Sequence, residues 1–334
     1  MERIQQLENW IRIQFPGKLF TLEPASADAS FRRYFRVGFD DQTLIVMDAP
    51  PQYENCAPFL HVAEILAATG VHVPKILGQN PELGFLLLSD LGHTTFLRAL
   101  EQTPELANQL YRDATDALVQ MQMSQQIEGL PLYGQTLLQQ ELDLFPDWYV
   151  AKHLQLELSE KQQTVLRNAF GHILQNNLAQ AKVLVHRDYH SRNLMVSTPN
   201  PGILDFQDAV YGPITYDLVS LFKDAYIRWD EERILDWAIR YWEKARQAGL
   251  PVASDFSDFY RDFEWMGVQR HLKVLGIFAR LNYRDGKAAY LNDMPLVMEY
   301  LRATCERYRE LRALLSLLDE LHPAKSGQKV GYTF

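Results

Sequence analysis

Apolar residues recur at three- and four-residue spacing at Ile4, Leu7, Ile11 and Phe15, which predicts an opening helix closed by Pro16-Gly17. The period then falls to two. Leu19 to Leu22, Phe31 to Phe39 and Leu44 to Met47 read as strands, separated by Ala25-Ser26-Ala27-Asp28 and by Asp40-Asp41. A helix from about Ala57 to Ala68 follows, closed by Gly70, and two more strands, Lys75 to Leu77 and Gly84 to Leu88, flank a turn at Asn80-Pro81. After Gly92 the helical period dominates: Glu105 to Met123, Leu137 to His153, Glu160 to Ala181, Tyr216 to Tyr226, Glu232 to Gln247, Phe256 to Asn282 and Pro295 to Leu321. One β-rich stretch interrupts it. Val183 to Val185, Leu194 to Val196 and Ile203-Leu204 are strand-like, with Pro199-Asn200-Pro201-Gly202 as a hairpin turn between the last two. The pattern predicts an α+β chain. Residues 1–91 form a part with about five antiparallel strands plus a helix, residues 92–322 a larger, mainly helical part, and residues 323–334 a loose tail.

The interruption carries the chemistry. His186-Arg187-Asp188 follows its first strand, Asn193 lies five residues beyond Asp188, and Asp205-Phe206 ends its third strand. A phosphoryl-transfer site needs a group that orients a hydroxyl nucleophile and oxygen ligands that fix a metal on nucleotide phosphates; one Asp, one Asn and a second Asp meet that need. Singly, each Asp is an ordinary turn or cap residue. As a spaced set, H-R-D-x-x-x-x-N and a following Asp-Phe after a hairpin form a compound signature. Asp188 is therefore the general-base candidate, and Asn193 and Asp205 are the candidate Mg²⁺ ligands. His186 reads as a loop-packing residue, and Asp208 as a turn residue or a further member of the metal shell.

These residues resemble a known family. His186-Arg187-Asp188-Tyr189-His190-Ser191-Arg192-Asn193 with Ile203-Leu204-Asp205-Phe206-Gln207-Asp208 is similar to the aminoglycoside phosphotransferase-like kinases. With Tyr189-His190 and Gly212-Pro213-Ile214-Thr215-Tyr216-Asp217, the chain looks more like the bacterial anomeric kinases of N-acetylmuramate and N-acetylglucosamine that serve cell-wall recycling. The likeness runs from Phe31 to about Leu296 and is most specific between His186 and Leu221. It implies a bilobal protein-kinase-like fold, with residues 1–91 as the nucleotide-binding lobe, and ATP and Mg²⁺ as cofactors. It implies transfer to the anomeric hydroxyl, giving a sugar 1-phosphate for peptidoglycan recycling. The linker residues Ser89, Asp90 and Leu91 would offer backbone groups to adenine, although turn composition alone reads them as a strand exit. Asp217 would brace the catalytic loop. The runs Trp265 to Gly276 and Glu141 to Trp148 resemble the sugar-site region, so Arg270, Lys273, His190 and Glu141 are acceptor candidates. By pattern alone, Arg270, Lys273, Arg280, Arg284 and Lys287 are equally a solvated basic helix face.

The sequence also departs from the family. Leu44-Ile45-Val46-Met47-Asp48 offers no lysine for the nucleotide phosphates, and Ala27-Asp28-Ala29-Ser30-Phe31-Arg32-Arg33 stands where a glycine-rich loop would be. Arg32 or Arg33 is the substitute cation, only one of the two facing the nucleotide because neighbours on a strand point oppositely, and Glu64 on the following helix is free to orient it. The competing reading is a basic edge strand in solvent.

Composition narrows the field. At 334 residues, 47% apolar and 22% charged, the chain is an ordinary globular protein, and a net charge of −9 argues against a nucleic-acid partner. Cys56 and Cys305 are too few for a disulfide framework or a zinc site, no apolar run is long enough to span a membrane, and Met1-Glu2-Arg3-Ile4 opens no targeting peptide. These features predict a cytoplasmic monomer. Eleven residues separate Asp205 from Asp217, too few for the peptide-docking segment of a protein kinase, so a small-molecule acceptor is expected. Three readings stand: an amino-sugar 1-kinase, another small-molecule kinase of the same fold (aminoglycoside, choline or homoserine), or a nucleotide-binding pseudokinase.

Overall fold

The computed structural model describes residues 2–27 and 31–322. The tail from Pro323, and Asp28-Ala29-Ser30 of the stretch that replaces the glycine-rich loop, lie outside the described residues. The elements run α1 (Arg3–Gln14), β1 (Thr21–Ala27), β2 (Arg33–Gly38), β3 (Thr43–Asp48), α2 (Ala57–Thr69), β4 (Ile76–Asn80), β5 (Phe85–Ser89), α3 (Phe96–Gln102) and α4 (Ala107–Gln122). They continue as α5 (Gln135–Leu144), α6 (Glu160–Ala179), β6 (Lys182–Val185), β7 (Leu194–Met195), β8 (Gly202–Ile203), β9 (Val210–Pro213), α7 (Tyr216–Phe222), α8 (Glu231–Gln247), α9 (Phe256–Asp285), α10 (Met294–Arg307) and α11 (Arg312–Leu321).

The chain divides into two compact units, Met1–Glu128 with Arg192–Ala209 and Gly129–Ser191 with Val210–Phe334. The first holds an antiparallel sheet in the order β1-β2-β3-β5-β4. Alternation along its strands explains its core: Val37, Leu44, Val46, Phe85 and Leu87 face Leu7, Trp10 and Ile11 of α1. Helix α2 ends at Gly70, whose φ of 82° is a left-handed conformation that a side chain would strain. The boundary expected between residues 91 and 92 is not where this unit ends. Gln120 of α4 donates to the Thr69 carbonyl at 2.6 Å, and the β7–β8 hairpin bridges back through His72 to Gly202 and through Thr95 to Met195, so 92–128 and 192–209 fold with the sheet.

The second unit is helical around α9 and also holds the two-stranded β6–β9 ladder. A capping box at Ser159 starts α6. The long helix expected from Leu137 to His153 is α5 followed by a wide π-helical stretch, Phe145–His153, in which Pro146 has no amide to donate. The close approach of α9 to the end of α5 depends on a glycine: a Cβ on Gly276 would lie 2.4 Å from the Leu144 carbonyl oxygen. Among the described residues no helix is long and apolar enough to cross a membrane. Both cysteines are free and buried.

Candidate active site

In the second unit, the loop after β6 is held from several directions. Asp217, in the first turn of α7, accepts from the His186 amide at 2.7 Å and the Arg187 amide at 3.0 Å. Arg187 adopts a φ of 77°, a left-handed conformation uncommon for a side-chain-bearing residue. Burial pushes the Asp217 carboxyl up to about 7, against the pull of those two amides and of Arg270. His186 Nδ1 accepts from the Asp188 amide at 3.2 Å, a loop-fixing role. At the far end of the loop, Asp224 takes both the Ser191 amide, at 3.0 Å, and its hydroxyl, at 2.5 Å.

Beneath Asp188 lies a buried network of charges. One turn back from the α5–α9 crossing on each helix stand Glu141 and Lys273, 2.8 Å apart. Glu141 also receives Arg187 at 2.6 Å, Gln269 at 3.1 Å and the Tyr133 hydroxyl. Lys273 and Arg270 both donate to the Tyr216 hydroxyl, at 2.8 and 2.9 Å, and Arg270 donates to the Arg187 carbonyl at 2.9 Å. Arg270 reaches within 3.9 Å of Asp188 Oδ1. The side chain of Asp188 is 41% exposed where those of Arg270 and Lys273 are 8% and 7%, so in this cluster the carboxylate is the accessible group. Desolvation works to raise the Asp188 carboxyl, but Lys273, Arg270, His190 and Arg187 outweigh it and hold it at about 2. Glu141 is likewise held below the usual carboxylate range, its burial overcome by Lys273 and Arg187.

Three of the acceptor candidates are engaged within this network. Glu141, Arg270 and Lys273 were expected to meet the acceptor, yet their polar atoms are engaged with one another, with Tyr216 and with the catalytic loop. The basic residues of α9 are not one solvated face either: Arg270 and Lys273 are buried, whereas Arg284 is exposed. His190 remains half-buried beside Asp188, its ring edge-on to Tyr226 at 5.4 Å.

In the first unit, the β7–β8 hairpin brings Asn193 and Asp205 together, with the Leu204 amide donating to the Asn193 carbonyl at 2.9 Å. Asn193 Nδ2 lies 3.3 Å from Asp205 Oδ2, and Gln207 Nε2 donates to Asp205 Oδ1 at 2.8 Å. Asp205 has a φ of 62°, and the Phe206 ring, packed 4.8 Å from Phe59 of α2, anchors that turn. Carboxylate and carboxamide oxygens are hard donors, which suits Mg²⁺ shared with phosphates. Among the described residues no three His, Cys, Asp or Glu side chains are grouped to hold a metal by themselves.

The two arginines separate as strand alternation predicts. Arg33, 51% exposed, pairs with Asp48 Oδ2 at 2.5 Å, while Arg3 takes Oδ1 at 2.7 Å. Arg32 is 13% exposed and sits 3.6 Å from Glu54. Burial works to lower the Arg32 pKa, but Tyr34, Glu54, Asp205 and Asp208 raise it overall. The carboxylate expected to orient the clamp, Glu64, is exposed on α2, and Glu54 in the preceding loop has that contact instead. A loop glutamate carries no periodic signal, which is why sequence reasoning looked to the helix. In the linker, Asp90 is held by Arg36 at 2.6 and 3.1 Å and by the Gly92 amide at 3.0 Å. Ser89 Oγ accepts from the Lys75 amide at 2.8 Å, and Leu91 is buried. The polar side chains of Ser89 and Asp90 thus shape the linker, and any adenine contact there would be made by backbone.

Comparison with known proteins bears on the family and the fold. The model of the phosphotransferase enzyme family matches residues 21–252. N-acetylmuramate/N-acetylglucosamine kinase of Neisseria meningitidis serogroup B is 50% identical over 337 residues, covering 100% of both chains. The protein of the same name from Pseudomonas aeruginosa is 49% identical, covering 96% of this chain and 97% of its own. A choline/ethanolamine kinase family protein from Mesorhizobium loti is 15% identical with a TM-score of 0.64, covering 96% of this chain and 100% of its own, and shares the fold. The α+β, protein-kinase-like architecture, the spaced aspartates and the full-length likeness converge: the chain belongs to the phosphotransferase enzyme family.

Proposed function

We propose that the protein transfers the γ-phosphoryl group of ATP to the anomeric hydroxyl of N-acetylmuramate or N-acetylglucosamine, giving the sugar 1-phosphate used in peptidoglycan recycling. The observation that carries this reading is an accessible carboxylate, Asp188, among buried cations on a motif loop, in a chain about half identical to kinases named for these sugars. Asp188 accepts the hydrogen of the acceptor hydroxyl and aims its oxygen. The new O–P bond forms as the bond to the β-phosphate oxygen breaks, ADP leaves, and the proton passes to Asp188 or to solvent. Asn193 and Asp205 would hold Mg²⁺, which when bound neutralises phosphate charge. Arg32, steadied by Glu54, would supply the phosphate cation that the third strand lacks. A cationic acceptor would call for a carboxylate-rich site, and the groups around Asp188 are predominantly cationic.

The test is direct. Purified protein with ATP and Mg²⁺ is offered N-acetylmuramate, N-acetylglucosamine, choline and an aminoglycoside, with ADP release and the phosphorus spectrum of the product as readouts. An anomeric phosphate from the amino sugars alone supports the proposal; turnover of choline or the aminoglycoside alone, or of none, overturns it.

A further inference from the structure

The buried network under Asp188 does more than satisfy its own charges. Its members come from three helices and a loop: Glu141 on α5, Tyr216 on α7, Arg270 and Lys273 on α9, and Arg187 beside the base itself. Arg270 and Glu141 carry it to the catalytic loop. Arg270 holds the Arg187 carbonyl at 2.9 Å and approaches Asp188 Oδ1 at 3.9 Å. Glu141 holds the Arg187 guanidinium, and Lys273 holds Glu141. The Tyr216 hydroxyl accepts from both Arg270 and Lys273, which fixes the two cations relative to each other. Asp217 completes the frame by taking the two loop amides.

We propose that Lys273 and Arg270, tied together by Tyr216 and backed by Glu141, are positioning residues for phosphoryl transfer, fixing the Asp188 carboxylate rather than binding the acceptor. This inference rests on the reading of Asp188 as the group that accepts the hydroxyl hydrogen. The geometry explains why so many charges are buried in one place. A carboxylate must sit within hydrogen-bond reach of one oxygen of the acceptor, and a small misplacement costs turnover rather than affinity. The electrostatics agree. The groups facing Asp188 are Lys273 and Arg270 from α9, His190 and Arg187 from the loop, and Asp217 from α7; the cations outweigh Asp217, so the carboxylate stays ionised.

The experiment compares Tyr216→Phe, Lys273→Met and Lys273→Arg with wild type, measuring kcat and KM for both amino sugars and for ATP across pH. Tyr216→Phe keeps the ring and removes the shared hydroxyl. Lys273→Met should lower kcat by roughly 10- to 100-fold with every KM nearly unchanged, Tyr216→Phe should lower it less, and Lys273→Arg should recover most of the loss. The acid limb of kcat should move to higher pH in Lys273→Met, because losing a cation raises the Asp188 carboxyl. Where Lys273→Met unfolds, the double variant Glu141→Gln with Lys273→Met removes both charges of the pair and should show the same kcat loss, with a smaller pH shift because the net charge is kept. Unchanged kcat in Tyr216→Phe and Lys273→Met, or a KM increase confined to N-acetylmuramate, whose carboxylate would then be the true partner of these cations, overturns the proposal. Asp188→Asn is the reference: if it alone loses turnover, the positioning role fails while the base assignment stands, and if it too retains turnover, the base assignment itself fails.

Discussion

Replacing Arg32 with alanine removes the cation that lies in the field of Asp205 and Asp208. A charge-assisted hydrogen bond to a phosphate contributes about 1.5–3 kcal/mol, so KM for ATP should rise roughly 10- to 150-fold. The matching change at Arg33 should behave differently. Its guanidinium is 51% exposed and committed to Asp48, whose other oxygen is already held by Arg3. Asp48 is buried and would keep only Arg3, so losing Arg33 should cost about 1–3 kcal/mol of stability and leave KM for ATP within about twofold of wild type. Supplying the missing lysine on β3 should not compensate. Met47 is 1% exposed, and a charge placed there would have to be desolvated, so Met47→Lys should lose stability and gain no activity. Initial rates over a range of ATP at saturating amino sugar, with thermal unfolding of each variant, decide the matter. A folded Arg32→Ala protein with wild-type KM for ATP, or equal increases in Arg32→Ala and Arg33→Ala, would refute the assignment and leave the phosphates to metal and backbone.

Other perturbations probe the remaining parts. Asp188→Asn should lower kcat by roughly 10²- to 10⁴-fold while ATP binding, followed by calorimetry, survives. Asp205→Ala should abolish turnover and remove the Mg²⁺ dependence of nucleotide binding; a titration curve like that of wild type would contradict metal ligation. Asp217 offers a pH test. Its folded carboxyl is raised from 3.8 to about 7, so the native state binds more protons than the unfolded chain between those values, and stability should fall as pH rises through that window. Asp217→Asn should flatten that slope in denaturant titrations from pH 4 to 7, and an unaltered slope would mean that another group sets it.

Much of this arrangement was legible in the sequence because local chemistry dictates it. The succession of strands and helix in the first unit followed from period-two and helical runs, and the loop carrying Asp188 and the hairpin carrying Asn193 and Asp205 from the apolar runs that flank them. Helix α3 escaped notice because its seven residues, Phe96–Gln102, are too few to display a period before Pro104. The run from Pro295 to Leu321 read as one helix because its apolar spacing continues across Tyr308, where the backbone turns extended, with φ −107° and ψ 125°, and separates α10 from α11. The pairing of Glu141 with Lys273 joins residues 132 positions apart. Nothing local marks such a partner. That contact helped turn an expected basic helix face into a buried frame, and a separate one in the first unit gave Arg32 a loop carboxylate in place of a helical one.

The glycine at the α5–α9 crossing sets a limit on what sequences this protein can explore. Residue 276 carries no chemistry, yet a single methyl group there would meet the Leu144 backbone and separate the two helices one turn from Glu141 and Lys273. A library of variants screened for turnover would mark position 276 as intolerant, much as it would mark Asp188. A survey scoring ligand contact alone would leave it unmarked. Under the proposed function, efforts to change acceptor range would meet little tolerance along the interior face of α9.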